Sequence, residues 1–167
     1  ARNKASDIPL WLPFVALHYV KVSGDDDIWK ETLHFIEGKP IPPQAEGIVF
    51  VPLRSREKAT LYAHCKLAID RVLARLGQNG LPLMGTGDWN DGMNQVGGGG
   101  QGESVWNGWF MLATLREFAS LAEQRRDAAR VAWCRERAEA LRRALEEHAW
   151  DGGWYRRAYF DDGTPLG

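Results

Sequence analysis

The run SVWNGWFMLATLREFASLA (residues 104–122), followed by DAARVAWCRERAEALRRALEEH (127–148), decides the fold. Arg116 and Glu117 are the only charged side chains in the first run, whereas Arg and Glu recur on almost every turn of the second. A helix that is apolar nearly all round has to be covered nearly all round, and one charged at every turn keeps a face in water. The pair therefore predicts an inner helix at about 104–123 and an outer one at about 127–149. Upstream, IPLWLPFVALHYVKV (8–22) predicts a second buried helix, with Pro13 marking the first turn of its regular part. A short amphipathic segment follows at 25–36. Residues 37–54 carry Pro40, Pro42, Pro43 and Pro52 and read as an irregular loop with a short strand at 48–51. Ser55 is the expected N-cap of a helix over 56–76, where Tyr62, Cys65, Ile69, Val72, Leu73 and Leu76 fall at helical spacing before Gly77 and Gly80 close it. Residues 151–167 read as hairpin or loop.

Antiparallel helices that alternate between buried and amphipathic point to an all-α fold, part of an α/α toroid rather than a four-helix bundle. In a toroid the informative loops lie ahead of the buried helices. Here those are Arg2–Asp7 and Gly87–Gly92, which are expected to share one face.

Composition narrows the function. The 167 residues carry a net charge of −1, so the basic excess of a nucleic-acid groove or an anionic-membrane face is missing. Eight Trp outnumber both six Phe and four Tyr, a bias that suits gripping the apolar faces of sugars while polar edges stay wet, although any one Trp can equally be core. Cys65 and Cys134 have no metal-ligand spacing and make no disulfide framework, which favours a reducing compartment. No stretch reaches the roughly 18 apolar residues that span a bilayer. The chain opens on Ala1 and stops in the turn-rich Phe160–Gly167. It is therefore expected to be a single partial domain over 1–167, cut at both ends from a longer polypeptide.

The stretch Leu81–Gly102, rich in Gly, Asp and Asn with four glycines at 97–100, is a long loop of the kind that carries function. Within it, Gly87-Asp88-Trp89-Asn90-Asp91-Gly92 places two carboxylates around an indole and an amide. A calcium loop does not fit, because the glycine falls one place early counting from Asp88 and the twelfth position is Gly99. A phosphate loop does not fit either, since its Lys-Ser/Thr is absent. Two readings stay open on the residues alone. Asp and Asn are turn formers ahead of the next helix, or one Asp is a general acid for glycosidic bond cleavage. An inverting hydrolase needs a second carboxylate roughly 6.5–9.5 Å away to activate water. An inverting phosphorylase does not, because phosphate is already nucleophilic.

Longer runs carry a family resemblance. GLPLMGTGDWNDGMN (80–94) and GESVW (102–106), with LWLP (10–13) and WYRRAYFDDG (154–163), resemble the catalytic barrel of glycoside hydrolase family 94 over almost the whole chain. That family holds cellobiose phosphorylase and the phosphorylase-like region of cyclic β-1,2-glucan synthases, and the likeness is nearest to the latter branch. It implies an (α/α)6 barrel and inverting phosphorolysis of β-glucosidic bonds, β-1,2-glucan above all, releasing α-glucose 1-phosphate, or the reverse synthesis. It makes Asp91 the general acid and Trp89 a wall of the pocket for the cleaved glucose. Asp88 and Asn90 become hydroxyl contacts, supports of the site, or turn formers. Arg2 stands at the place of a glucose-binding arginine and Ser6-Asp7 at the start of a glucose-binding pair, with Ile8 where a second acid is expected. Arg156 and Arg157 are candidates for phosphate or sugar hydroxyls, though arginines in a hairpin are more often solvated. His18, His34, His64 and His148 match no family context, and the phosphate-binding His and Thr/Gly residues of the family fall outside this chain.

The resemblance implies no metal and no organic cofactor, with inorganic phosphate as co-substrate. The implied partners are a β-glucan oligosaccharide, phosphate or glucose 1-phosphate, the remainder of the parent polypeptide, and a second copy in a homodimer of the full enzyme, with no nucleic acid. The implied location is the cytoplasm, on the inner-membrane side if the parent is a cyclic glucan synthase. Two rivals remain: an inverting hydrolase using Asp161 or Asp162 as base, and a non-catalytic glucan-binding or structural helical module. The isolated chain is expected to be inactive.

Overall fold

The computed structural model describes residues 2–167. In chain order the elements are β1 (Arg2–Asn3), α1 (Ile8–Ser23), a 3-10 turn (Asp26–Lys30), β2 (Thr32–Glu37), β3 (Gly47–Ile48), β4 (Leu53–Thr60) and α2 (Leu61–Leu73). A second 3-10 turn (Asp91–Met93) precedes β5 (Glu103–Ser104), α3 (Val105–Gln124), α4 (Ala128–Ala144), a π turn (Leu145–Ala149), β6 (Ala158–Tyr159) and β7 (Pro165–Leu166). Among the described residues four helices dominate, as expected of a mostly helical fold, and three small antiparallel sheets, β1–β3, β2–β4 and β5–β6–β7, join them.

The helix pair that decides the fold behaves as its composition dictates. α3 buries most of its surface, from Val105 and Phe110 through Leu115 and Phe118 to Ala122, and leaves a stripe through Ala113, Arg116, Glu117 and Ser120 exposed. α4 buries a single stripe, Val131, Cys134, Ala138 and Leu141. Ser104 caps α3 by accepting from the Asn107 amide at 3.0 Å, and Asp127 caps α4 by accepting from the Arg130 amide at 3.1 Å. The second oxygen of Asp127 accepts from the Tyr62 hydroxyl (3.0 Å) and Lys66 (3.3 Å), which fastens α2 to the start of α4.

Several upstream expectations need correction. Residues 53–60 form a strand, so the following helix is capped by Thr60, whose hydroxyl accepts from the Ala63 amide, and Ser55 lies inside β4. β4 pairs with β2, from Thr32 opposite Thr60 to Glu37 opposite Leu53. β4 is polar and mostly exposed on both faces, and β2 carries Leu33, Phe35 and Ile36 without a sustained alternation, so no period-two signal announces the pair. The amphipathic segment at 25–36 divides into the 3-10 turn, pinned by fully buried Trp29, and β2. The strand expected at 48–51 covers only Gly47–Ile48. α1 starts at Ile8 with Pro9 in its first turn, so Pro13 lies within the helix rather than at its start. Its missing N–H deprives the Pro9 carbonyl of a helical partner close to the N-terminus.

α1 is also not buried all round. Leu10, Pro13 and Ala16 face inward, whereas Ile8, Leu12, Val15 and Val22 are exposed. Among the described residues only one side of α1 is covered, by α2 and α3. No helix of the described residues is long and apolar enough to cross a membrane.

Candidate functional site

Residues 4–6 run antiparallel to 85–87. Ala5 bridges Gly85, the Ser6 amide donates to the Gly87 carbonyl at 2.9 Å, and the Ser6 hydroxyl reaches the same oxygen at 3.3 Å. The approach is close enough that a Cβ on Gly85, whose φ is +64°, would lie 2.3 Å from the Lys4 carbonyl oxygen. The two loops ahead of buried helices therefore lie side by side, as their positions in the sequence suggested. Asp7, the next residue, is buried at 4% exposure and accepts from the Trp11 indole N–H at 2.8 Å.

The loop 87–92 is built from two successive Asx turns. Asp88 Oδ1 accepts from the Asn90 amide at 3.1 Å, bending the chain around Trp89. Asn90 Oδ1 accepts from the Gly92 amide at 3.0 Å, bending it around Asp91 and starting the 3-10 turn. Asp88 and Asn90 turn inward on their own backbone, and Trp89 and Asp91 face out. Trp89 is 57% exposed. Asp91 is exposed and makes no side-chain hydrogen bond or ion pair among the described residues.

Asp88 has the opposite surroundings. At 2% exposure, Oδ2 accepts from the Ser104 hydroxyl at 2.6 Å and Oδ1 also takes the Arg157 guanidinium at 2.6 Å. A buried carboxylate has to be paired and hydrogen-bonded to be tolerated. The expectation that Arg156 and Arg157 are solvated is thereby corrected. Arg157 holds Asp88, and Arg156 donates to the His148 carbonyl at 2.8 Å and to the Tyr159 hydroxyl at 3.1 Å. Ser104 and Arg157 are residues whose part in the site the sequence did not expose. Ser104 signals only a helix cap, and the Arg157 partner lies 69 residues away.

Beside the loop stands an aromatic wall. The Trp89 ring lies 6.1 Å from Trp106, Trp106 lies 5.3 Å from Phe110, and Phe110 lies 4.9 Å from Trp11 and 5.2 Å from Phe14. Its members come from the loop, α3 and α1, so helix packing sets the position of Trp89.

Behind the loop, Asp161 sits in a cradle of backbone amides, accepting from Gly99 (2.6 Å), Gln101 (2.8 Å) and Gly102 (2.8 Å). Partial burial works against its charge, but the three amides outweigh this and hold its carboxyl below the usual range. Asp162 accepts from the Thr164 amide at 2.9 Å. Glu103, 1% exposed, accepts from the Asn79 and Leu81 amides and from the Asn79 side chain. Burial is the largest influence on its pKa and raises it despite those bonds.

Arg2 is not brought to this loop. Its guanidinium donates to the Gly38 (3.3 Å) and Lys39 (2.8 Å) carbonyls and lies over the Phe50 ring, 5.1 Å from its centroid. Of the four histidines, His34 Nδ1 is 2.8 Å from the Ser55 carbonyl and His64 Nε2 is 3.0 Å from that of Leu33. Among the described residues no group of three or more His, Cys, Asp or Glu is placed to hold a metal ion.

Comparison with known proteins finds similarity along the whole chain. Residues 1–167 match the Glycosyl hydrolase 94 superfamily, catalytic domain. The chain is 46% identical over 166 residues to the cyclic beta-(1,2)-glucan synthase NdvB of Rhizobium meliloti (strain 1021), a match covering 99% of this chain and 6% of that protein. It is 33% identical over 164 residues to a 3-O-beta-D-glucopyranosyl-beta-D-glucuronide phosphorylase of Paenibacillus borealis, covering 98% of this chain and 19% of that enzyme. It is 33% identical over 168 residues to an N,N'-diacetylchitobiose phosphorylase of Vibrio furnissii, covering 99% of this chain and 18% of that enzyme. The chain thus spans under a fifth of each of these three relatives.

Proposed function

The chain belongs to the Glycosyl hydrolase 94 superfamily, and on that premise we propose that it supplies the acid-bearing part of an (α/α)6 barrel that cleaves β-glucosidic bonds with phosphate. The remainder of the barrel and the phosphate site come from the rest of the parent polypeptide. Asp91 donates its proton to the glycosidic oxygen as the bond from that oxygen to the anomeric carbon breaks. A phosphate oxygen bonds to the same carbon from the opposite face, turning a β-glucoside into α-glucose 1-phosphate, and the reverse sequence builds glucan. Trp89 packs against the glucose ring that is cleaved, Asn90 binds its hydroxyls, and buried Asp7 does so only if it leaves the Trp11 indole. Arg2 reaches that glucose only if its contacts with Gly38, Lys39 and Phe50 are exchanged. β-1,2-Glucan is the favoured substrate because the cyclic beta-(1,2)-glucan synthase is the relative with the higher identity. Phosphate is the only co-substrate required, without metal or organic cofactor.

The observation that carries this reading is the contrast among the carboxylates around the loop. Asp88, Glu103, Asp161 and Asp162 each satisfy groups of the protein itself, and Asp91 alone stands exposed and unengaged beside an exposed indole. One free acid suits attack by phosphate. A hydrolase base taken from Asp161 would have to leave three backbone amides, so the hydrolytic alternative is the weaker one.

The test is an assay of the intact parent enzyme on β-glucan oligosaccharides with and without phosphate. Glucose 1-phosphate that appears only with phosphate is the expected result. Free glucose released at the same rate in its absence would select the hydrolase, and no turnover with retained glucan binding would select the non-catalytic module.

A further inference from the structure

Nothing in the proposed chemistry uses Arg157, yet its side chain ends on the buried Asp88 carboxylate at the root of the loop. Its backbone amide donates to the Leu166 carbonyl at 2.7 Å, so the residue is fixed by the β6–β7 hairpin rather than carried on a free loop. The hairpin is fixed in turn, because β6 pairs with β5, Ala158 opposite Ser104 and Tyr159 opposite Glu103. From this frame the guanidinium reaches Asp88 Oδ1 at 2.6 Å, with the Asp88 side chain fully buried and that of Arg157 23% exposed. That same oxygen accepts from the Asn90 amide and so closes the turn around Trp89. The other oxygen is held by Ser104, the residue that caps α3 and starts the helix bearing Trp106.

We infer that Arg157 is a positioning residue for the general acid, acting through the Asp88 carboxylate and the turns it closes to fix where Asp91 stands. The inference rests on the reading of Asp91 as the acid. Two constraints make the guanidinium more than a neutraliser. The turn around Trp89 exists only while Asp88 Oδ1 faces the Asn90 amide, and a carboxylate held from one side by Ser104 keeps that orientation only if the other side is held too. The turn around Asp91 is chained to the first through Asn90, so a rotation of Asp88 passes to the acid within three residues. Proton transfer in a catalysed step is sensitive to this, since displacement by about 1 Å can cost about a hundredfold in rate. The contact is a single one, from Nη2 to Oδ1, so a lysine that keeps the charge can replace most of it.

The experiment compares Arg157→Gln, Arg157→Lys and Asp91→Asn in the intact enzyme on two donors, a natural β-glucan oligosaccharide and dinitrophenyl β-glucoside, whose leaving group departs without protonation. Phosphate is present throughout. Arg157→Gln is expected to lower kcat about a hundredfold on the oligosaccharide with little change in KM, to leave the activated donor nearly unaffected, and so to follow the pattern of Asp91→Asn. Arg157→Lys is expected to recover most of the oligosaccharide activity. If Arg157→Gln fails to fold, the double variant Asp88→Asn/Arg157→Gln, which leaves no buried unpaired charge, is put through the same comparison with the same expected pattern. Equal losses on both donors would make Arg157 a residue of general stability and overturn the inference, as would full activity on both. If Asp91→Asn itself loses both donors equally or neither, the acid assignment fails, and the inference about Arg157 fails with it for that separately visible reason.

Discussion

Two glycine-rich loops lie back to back in this molecule and dispose of their carboxylates in opposite ways. In Gly87–Gly92 the loop's own Asp88 and Asn90 satisfy its backbone amides, which frees Trp89 and Asp91 to face outward. In Gly97–Gly102 the loop has almost no side chains, and its amides are satisfied by Asp161 reaching in from the β6–β7 hairpin. The first loop presents an acid and the second consumes one. Gly87–Gly92 carries Asp88 and Asn90 among its own residues, whereas Gly97–Gly102 has Gln101 as its one side chain. What separates them is whether the turn-forming side chains lie inside the loop or come from outside it, and that decides which carboxylate is left for chemistry.

The comparison breaks most visibly in stability. Replacing Asp88 by Ala leaves the Arg157 guanidinium without its partner, and denaturant unfolding is expected to show a loss of about 3–5 kcal/mol. Asp91→Ala removes an exposed group with no partner and is expected to stay within about 0.5 kcal/mol of the parent. Similar losses for the two would mean that they are not in opposite environments.

Asp161 gives a smaller loss with a pH signature. Asp161→Asn weakens the acceptor of three amides and is expected to cost about 1–3 kcal/mol at neutral pH. The folded-state pKa of Asp161 lies below its ordinary value, so its contribution is present above the unfolded carboxylate pKa of about 3.9 and is lost as pH falls through the folded value. The gap between parent and variant, followed by thermal unfolding against pH, is therefore expected to close below about pH 4. A gap constant down to pH 2 or so would contradict the charge-assisted cradle.

Trp89→Ala sharpens the contrast at its small end. An exposed indole is expected to add less than about 0.5 kcal/mol to stability. Its loss is instead expected to raise KM for the oligosaccharide about tenfold, as the removal of one aromatic contact worth about 1–2 kcal/mol would.

Much of this was legible in the residues. The inner and outer helices follow from where charge is absent, and the neighbouring placement of 2–7 and 87–92 follows from the order of buried helices. The β2–β4 hairpin was not legible, because a polar strand exposed on both faces, such as Leu53–Thr60, has no period-two apolar signal. The covering of α1 was not legible either, since composition shows that a helix needs to be buried but not which chain buries it. In the site, the Gly-Asp-Trp-Asn-Asp-Gly string by itself offers both carboxylates, and only the family resemblance divides them, with Asp91 as the acid. In the fold that division depends on Ser104 and Arg157, which are 16 and 69 residues from Asp88, and no local pattern encodes pairings at that range.

The central claim is that Asp91 is the acid and Asp88 its support. It is tested most directly by measuring turnover and glucan binding together in the Asp91→Asn variant of the intact enzyme. The account predicts a kcat for phosphate-dependent glucose 1-phosphate release lowered by about 10²–10⁴, with the dissociation constant for the oligosaccharide unchanged within about twofold. Turnover equal to the parent's, with binding intact, would contradict it.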